Sequence, residues 1–266
     1  MNHSTYLKNR TASAYAYKVR EGSPMALRAI IFDCDGVLVD SEPVHFSAFR
    51  KTLEAHGGNL SEELYKERYL ALDDKGVFTR FYQDQGIPLL IEDLTKLIAE
   101  KGAAFQELIQ SEGVMAYPAV PEFVMAASQR YPLAIASGAR RHELEVLLEA
   151  AGIRPYFETI ISADDVENGK PNPESYLKAV EGLNASGKRT SAIRPEECAV
   201  IEDSREGIVS AHTAGMKCIA VATSYPTFEL SHADLVLPAL ASLKISQVED
   251  LFHPPSLLAV PAPQNN

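Results

Sequence analysis

Short runs of apolar residues, each about the length of one β-strand, alternate along most of this chain with stretches of helical pattern. The runs are RAIIFD (28–33), PLAIAS (132–137), ETIIS (158–162), CAVIED (198–203), KCIAVAT (217–223) and ADLVLP (233–238). They are continuously apolar rather than alternating, so the sheet they form must be covered on both faces. Helix-like segments lie between most of them. RRHELEVLLEAAG ends in Gly152, a natural C-terminal stop. NPESYLKAVEGL opens with Asn172 and Pro173 at the cap and first helical position. SREGIVSAHTAG begins at Ser204 and ends at Gly215. Strands of this kind alternating with helices predict an α/β fold built on a doubly wound parallel sheet.

From Pro43 to Tyr117 the rhythm breaks, and only helical patterns appear: PVHFSAFRKTLEAHG, SEELYKERYLALDD, GVFTRFYQDQG and IEDLTKLIAEKGAAFQELIQSEG. This interval predicts an all-helical cap domain over 43–117, inserted into a core made of 26–42 and 118–252. Pro43, Pro118 and Pro121 punctuate the joints. Residues 1–25 carry Lys8, Arg10, Lys18 and Arg20 and lack the apolar segment of a secretory signal. They are expected to form a disordered, dispensable extension; a transit peptide or a start at Met25 are the alternatives. The Pro-rich segment 253–266 is expected to be a disordered tail.

The 266 residues have room for one large domain or a core with a smaller companion. A net charge of -11 argues against a nucleic-acid surface or an anionic membrane as partner. It leaves open a small anionic substrate, because a metal or a few lysines reverse the sign locally. No apolar run approaches the roughly 18 residues of a membrane span. Cys34, Cys198 and Cys218 form no CxxC pair and sit in apolar runs, as small buried residues of a reducing, cytoplasmic compartment do. A monomer or weak dimer is expected.

In an open parallel sheet the carboxyl ends of the strands face one crevice, where ligands bind. The first strand ends in Asp33 and Asp35. The second ends in Ser137, and Lys170 lies in ENGKPNPE, downstream of the third. The fourth ends in Glu202 and Asp203. The contents and order of these motifs resemble the haloacid dehalogenase superfamily of phosphotransferases. The matching pieces are DCDGVLVDSE, the Ser of ASGAR, the Lys of GKPNPE and the acids of IEDS. The helical insertion is similar to the α-helical cap of the β-phosphoglucomutase-like and CbbY-like branch, and the resemblance implies a Rossmann-like core beneath it.

Asp33, at a strand end, is suited to attack phosphorus and form an aspartyl-phosphate. A carboxylate attacking an anionic phosphate meets like charge, so the chemistry calls for a divalent cation. Mg²⁺ accepts a few carboxylates with several waters. Asp33 and Asp203 are the expected carboxylate ligands, and the resemblance adds the backbone carbonyl of Asp35. Glu202 has two readings, a metal ligand or a group that orients water or Lys170. The resemblance gives Asp35 the role of general acid, then base. It gives Ser137, with the amides of Gly138 and Ala139, the role of holding a phosphoryl oxygen, and Lys170 that of a point charge for phosphate.

The expected substrate contacts are His45, Lys75, Arg80, Arg140 and Arg141. His45 falls where mutases of the branch carry a histidine, or is simply packed. Arg140 and Arg141 either grip a second phosphate or sugar hydroxyl, or start a helix in solvent.

The expected activity is a Mg²⁺-dependent phosphatase acting on a small phosphorylated metabolite, a sugar phosphate or bisphosphate. The alternatives are a β-phosphoglucomutase-like mutase and an inactive binding protein on the same fold. Mutases of the branch carry a cationic cap loop, whereas YLALDD (69–74) puts Asp73 and Asp74 in that place. Two carboxylates there would repel a second phosphate, which favours phosphate release over isomerisation. A phosphonate-cleaving relative would need a buried cap lysine, and nothing marks Lys51, Lys66 or Lys75 as buried.

Overall fold

A computed structural model of the chain describes residues 26–70 and 72–253. The extension expected over 1–25 and the tail expected over 253–266, His253 apart, lie outside the described residues. The strands are β1 (Ala29–Phe32), β2 (Leu133–Ala136), β3 (Phe157–Ile161), β4 (Cys198–Glu202), β5 (Lys217–Val221) and β6 (Leu235–Leu237). They form one sheet in the order β3-β2-β1-β4-β5-β6, every pair parallel. Each strand sits within a residue or two of its apolar run; β1, β2, β4 and β5 are mostly buried, and β3 is buried only at Phe157 and Ile160.

Period-two alternation splits those buried side chains between two faces. Ile30, Phe32, Leu133, Ile135 and Ile201 join one apolar cluster, while Ala29, Ile31, Ala134, Ala136 and Val200 join another. The first face is covered by α5 (Val120–Ser128) and α6 (Arg141–Ala150) through Val124, Ala127, Leu144 and Leu147. The second is covered by α7 (Glu174–Ala185) and α8 (Arg205–Thr213) through Tyr176, Ala179, Leu183 and Ile208. The fold is the expected doubly wound α/β sheet.

Between β1 and α5 lie α1 (Glu42–Ala55), α2 (Glu62–Arg68), α3 (Asp74–Asp84) and α4 (Ile91–Glu112). Phe49, Leu53, Tyr65, Tyr69, Phe78, Phe81 and Leu97 form a separate cluster among them. The near ends of α1 and α4 reach into the sheet's own cluster through Val44, Ala48, Ala104, Phe105 and Ile109. The two connections run side by side: Val39 bridges Ala116, and the Tyr117 amide donates to the Leu38 carbonyl at 3.0 Å.

The stretch SEELYKERYLALDD is broken where one helix was expected. The Asp73 carboxylate accepts the Gly76 amide at 2.7 Å and starts α3 afresh. Helix α7 begins at Glu174, one residue later than Asn172 as its cap implies, and the Asn172 side chain accepts the Glu174 amide at 3.0 Å. Helices α5 and α9 (Ile245–Asp250) go beyond the sequence expectation. All three cysteines are free and buried, and no described helix is long and apolar enough to cross a membrane.

Candidate active site

Strand register assembles the site. Phe32 pairs with Ile135 on β2 and with Ile201 on β4, so Asp33 stands level with Ala136 and Glu202. One step on come Ser137 and Asp203. The Asp33 amide donates to the Ile201 carbonyl at 2.9 Å, carrying the sheet pattern past the strand end. Asp33, Ser137, Glu202 and Asp203 are all buried. From the loop beyond β3, Lys170 Nζ donates to Asp33 Oδ1 and, at 2.6 Å, to Glu202 Oε1. It also lies 5.0 Å over the Tyr176 ring.

Both oxygens of Glu202 are engaged. Oε1 accepts from Lys170 and from the Tyr176 hydroxyl at 2.8 Å. Oε2 accepts from the Asp203 amide at 2.8 Å and from the Ser204 amide and hydroxyl, each at 2.9 Å. With no exposed surface and no free oxygen, Glu202 orients Lys170; the ligand reading is corrected. Gly207 makes this possible, since a Cβ there would stand 1.8 Å from Glu202 Oε1.

One lysine therefore faces three buried acids. Burial pushes the Asp33 carboxyl up to about 7, against the pull of Lys170 and with the help of Glu202. Burial, then the charges of Glu202 and Asp33, push Asp203 up to about 8. Burial acts on Glu202 too, but Lys170 and the Ser204 and Tyr176 donors hold it below the usual carboxylate range. This surplus of buried negative charge fits a divalent cation. Among the described residues no three His, Cys, Asp or Glu side chains converge as a ready ligand set. A cation would take Asp33, Asp203, the Asp35 carbonyl and water, the sparse oxygen set that Mg²⁺ accepts.

Gly36 sets the spacing of these groups. Its φ is +76°, and a Cβ there would stand 1.9 Å from Asp203 Oδ2. Gly36→Ala is therefore expected to displace the Asp203 carboxylate and lower turnover by about 10²-fold, as ångström-scale misplacement does. Wild-type turnover in that variant would show that the Asp203 position does not matter.

Asp35 lies further along the same turn, and burial raises its carboxyl above the usual range. Its Oδ1 accepts from the hydroxyl of Ser41, the residue capping α1, so the acid is tied to the first cap helix. Ser137 Oγ accepts the Ala139 amide at 3.1 Å, and Gly138 is exposed to the crevice.

Between the helical insertion and the sheet lies a cavity of about 370 Å³. Asp35, His45, Lys75, Gly138 and Arg140 line it, which brings five of the expected site residues together. Two others are not brought there. Arg80 pairs with Asp84 at 3.0 Å, one turn along its own helix. Arg141 donates to Asp165 at 2.5 Å and to the Ile160 carbonyl at 2.8 Å, fastening the loop after β3 to α6. Both are corrected to structural roles. His45 is packed as well as placed: its ring stacks on Phe105 at 4.3 Å, and burial, then Lys101, push its pKa well down.

Lys101, on α4, is a charged residue that sequence reasoning missed. It is wholly buried, with Nζ 2.8 Å from Asp74 Oδ1, 2.9 Å from His45 Nδ1 and 3.5 Å from Glu143. Asp73 and Asp74 both line the cavity, as expected of the cap loop, but Asp73 caps α3 and Asp74 is paired with Lys101, so only part of their charge is left to repel a second phosphate. Ser224 was missed too; its hydroxyl contacts Asp203 Oδ2.

A family model described as haloacid dehalogenase-like hydrolase matches residues 30–221. The chain is 32% identical over 204 residues to a phosphorylated carbohydrates phosphatase of Thermotoga maritima, covering 73% of this chain and 84% of that protein. Its fold is similar to the crystal structure of CbbY from Rhodobacter sphaeroides in complex with phosphate, with a TM-score of 0.70 and 27% identity over 82% of this chain and 96% of that one. It is also similar to a putative β-phosphoglucomutase from Thermotoga maritima, with a TM-score of 0.62 and 29% identity over 79% and 94% of the two chains. The chain belongs to the haloacid dehalogenase-like hydrolases, in their CbbY- and β-phosphoglucomutase-like branch.

Proposed function

We propose that this hydrolase is a Mg²⁺-dependent phosphoric monoester hydrolase that releases phosphate from a small phosphorylated carbohydrate through an aspartyl-phosphate on Asp33. The observation that carries this reading is Lys170, wedged between Asp33 and Glu202 where the strand ends meet. The phosphatase name of the Thermotoga maritima relative supports it.

In this reading the substrate's phosphoryl oxygens meet Lys170, the Ser137 hydroxyl and the loop amides, which hold the phosphorus against Asp33. An Asp33 carboxylate oxygen forms the new bond to phosphorus while the ester bond breaks. Asp35, whose carboxyl burial raises above the usual range, gives its proton to the departing alkoxide. It then takes a proton from the water that cleaves the aspartyl-phosphate. Asp33, Asp203 and the Asp35 carbonyl would hold Mg²⁺, which would offset the negative charge of carboxylates and phosphate. Lys101 is the buried cap lysine that a phosphonate-cleaving enzyme would need, but Asp74 and His45 engage its donors, which disfavours it as an attacking amine.

The test is phosphate release from a panel of sugar phosphates. Activity is expected with Mg²⁺, lost with EDTA and restored by added Mg²⁺. Turnover indifferent to chelation would remove the metal from the scheme.

A linked outcome concerns pH. Asp33 and Asp203 rise from a model-compound value of 3.8 to about 7 and about 8 on folding. The folded state then binds more protons than the unfolded chain, so these groups' contribution to stability is full below pH 3.8 and lost as pH rises through 7 to 8. A bound cation relieves that loss by favouring the ionised forms. The Mg²⁺-induced rise in melting temperature is therefore expected to be larger at pH 8 than at pH 6, read by thermal denaturation. An equal rise at both values would contradict metal binding by these two acids.

A further inference from the structure

We propose that the consecutive hydroxyls of Thr223 and Ser224, in the turn after β5, are positioning groups that set the affinity of the site for Mg²⁺. This rests on the metal reading above and adds the two residues that hold its ligands in place.

Strand β5 runs beside β4 and ends at Val221, so the turn that follows arrives next to Asp203. The Ala222 amide donates to the Leu237 carbonyl at 2.8 Å, which extends the pairing with β6 past the strand end and anchors the turn. From there Thr223 Oγ1 donates to the Gly36 carbonyl at 2.5 Å, and the Ser224 hydroxyl donates to Asp203 Oδ2. Two adjacent side chains thus reach two separate elements, the turn after β1 and the end of β4.

Each contact bears on an expected ligand. Gly36 follows Asp35, whose carbonyl is the expected main-chain ligand. The Gly36 amide donates to the Val39 carbonyl at 3.0 Å, so with Thr223 on its carbonyl both polar groups of Gly36 are fixed. On Asp203, Ser224 takes Oδ2, and no donor among the described residues meets Oδ1. Asp33 is arranged alike, with Lys170 on Oδ1 and no donor among the described residues on Oδ2. Each carboxylate is therefore held by one oxygen and keeps the other for a cation. The three groups also touch, since a Cβ on Gly36 would stand 2.9 Å from Ser224 Oγ as well as against Asp203. Partners that orient a ligating carboxylate in this way are worth about 10–100-fold in metal affinity.

A solvent reading competes with this one. Ser224 is exposed, and a water molecule would take its place on Oδ2 without loss. Affinity for Mg²⁺ separates the two. It is measured on substrate-free protein, from the rise in melting temperature with added Mg²⁺. It is measured again as the Mg²⁺ concentration giving half-maximal hydrolysis of p-nitrophenyl phosphate. Ser224→Ala and Thr223→Val each remove a hydroxyl, whereas Ser224→Thr and Thr223→Ser keep it. The first two are expected to weaken Mg²⁺ binding by about 10-fold or more in both measurements. Their slowed hydrolysis should be regained as Mg²⁺ is raised. The two conservative variants should bind Mg²⁺ close to the wild-type value. Unchanged affinity in both hydroxyl-free variants, whatever their metal-free melting temperatures, would overturn the proposal. Equal weakening in the conservative variants would overturn it too, by assigning the effect to packing of the turn rather than to its hydroxyls. A wild type whose melting temperature does not respond to Mg²⁺ would overturn the metal reading, and this inference with it.

Discussion

Asp33→Asn is expected to lower kcat by at least about 10³-fold while leaving the fold in place. An amide matches the carboxylate in size and still accepts a hydrogen bond from Lys170, so the packing at the end of β1 survives. It cannot serve as the anionic nucleophile. The substitution also removes one of the acids that raise Asp203, so that carboxyl should ionise more readily. The measurement is steady-state phosphate release with saturating Mg²⁺, alongside a melting curve. Near-normal turnover in a folded variant would move the nucleophile elsewhere.

Lys170→Met is expected to act on stability and activity together. Its side chain is 13% exposed and is paired with two acids that are more buried than itself. Removing the cation strands Asp33 and Glu202, and breaking a buried pair in this way costs about 3–5 kcal/mol. For a chain of this size that corresponds to a fall in melting temperature on the order of 10 °C. The deficit should be greater at pH 8 than at pH 6, because Asp33 can take up a proton at the lower value and shed its charge. Lys170→Arg keeps the charge and should recover much of the stability while fitting the phosphate less well. A Met variant as stable as the wild type at both pH values would mean that the three-acid cluster is balanced by something other than Lys170.

The sheet was legible because burial on both faces leaves an unbroken apolar run, and that pattern survives in the bare sequence of β1, β2, β4 and β5. The centre of the site was legible for a related reason. Asp33, Ser137 and Asp203 each follow such a run directly, and parallel strands place those positions side by side. Applying the same rule to the fifth run would have reached Thr223 and Ser224. Lys101 carried a signal as well: Leu97, Lys101, Ala104, Phe105 and Ile109 share one helical face, and all five are buried. A lysine on an apolar stripe must find partners, and it finds them in Asp74 and His45. Arg80 and Arg141 could not be placed from motif position alone. Each is captured by a nearby carboxylate, Asp84 or Asp165, and that competition is settled by local geometry. The two readings of Glu202 were likewise separated only by counting the donors around its oxygens.

The most direct test of the catalytic scheme is chemical trapping of Asp33 during turnover. Enzyme, Mg²⁺ and a hydrolysed sugar phosphate would be mixed and acid-quenched on the timescale of one turnover. Borohydride reduction then converts an aspartyl-phosphate to homoserine, and peptide mass spectrometry locates it. The expected result is homoserine at position 33, formed at least as fast as phosphate is released and missing from Asp33→Asn. Full turnover with no reduced residue at position 33, or with the label on another side chain, would contradict the scheme.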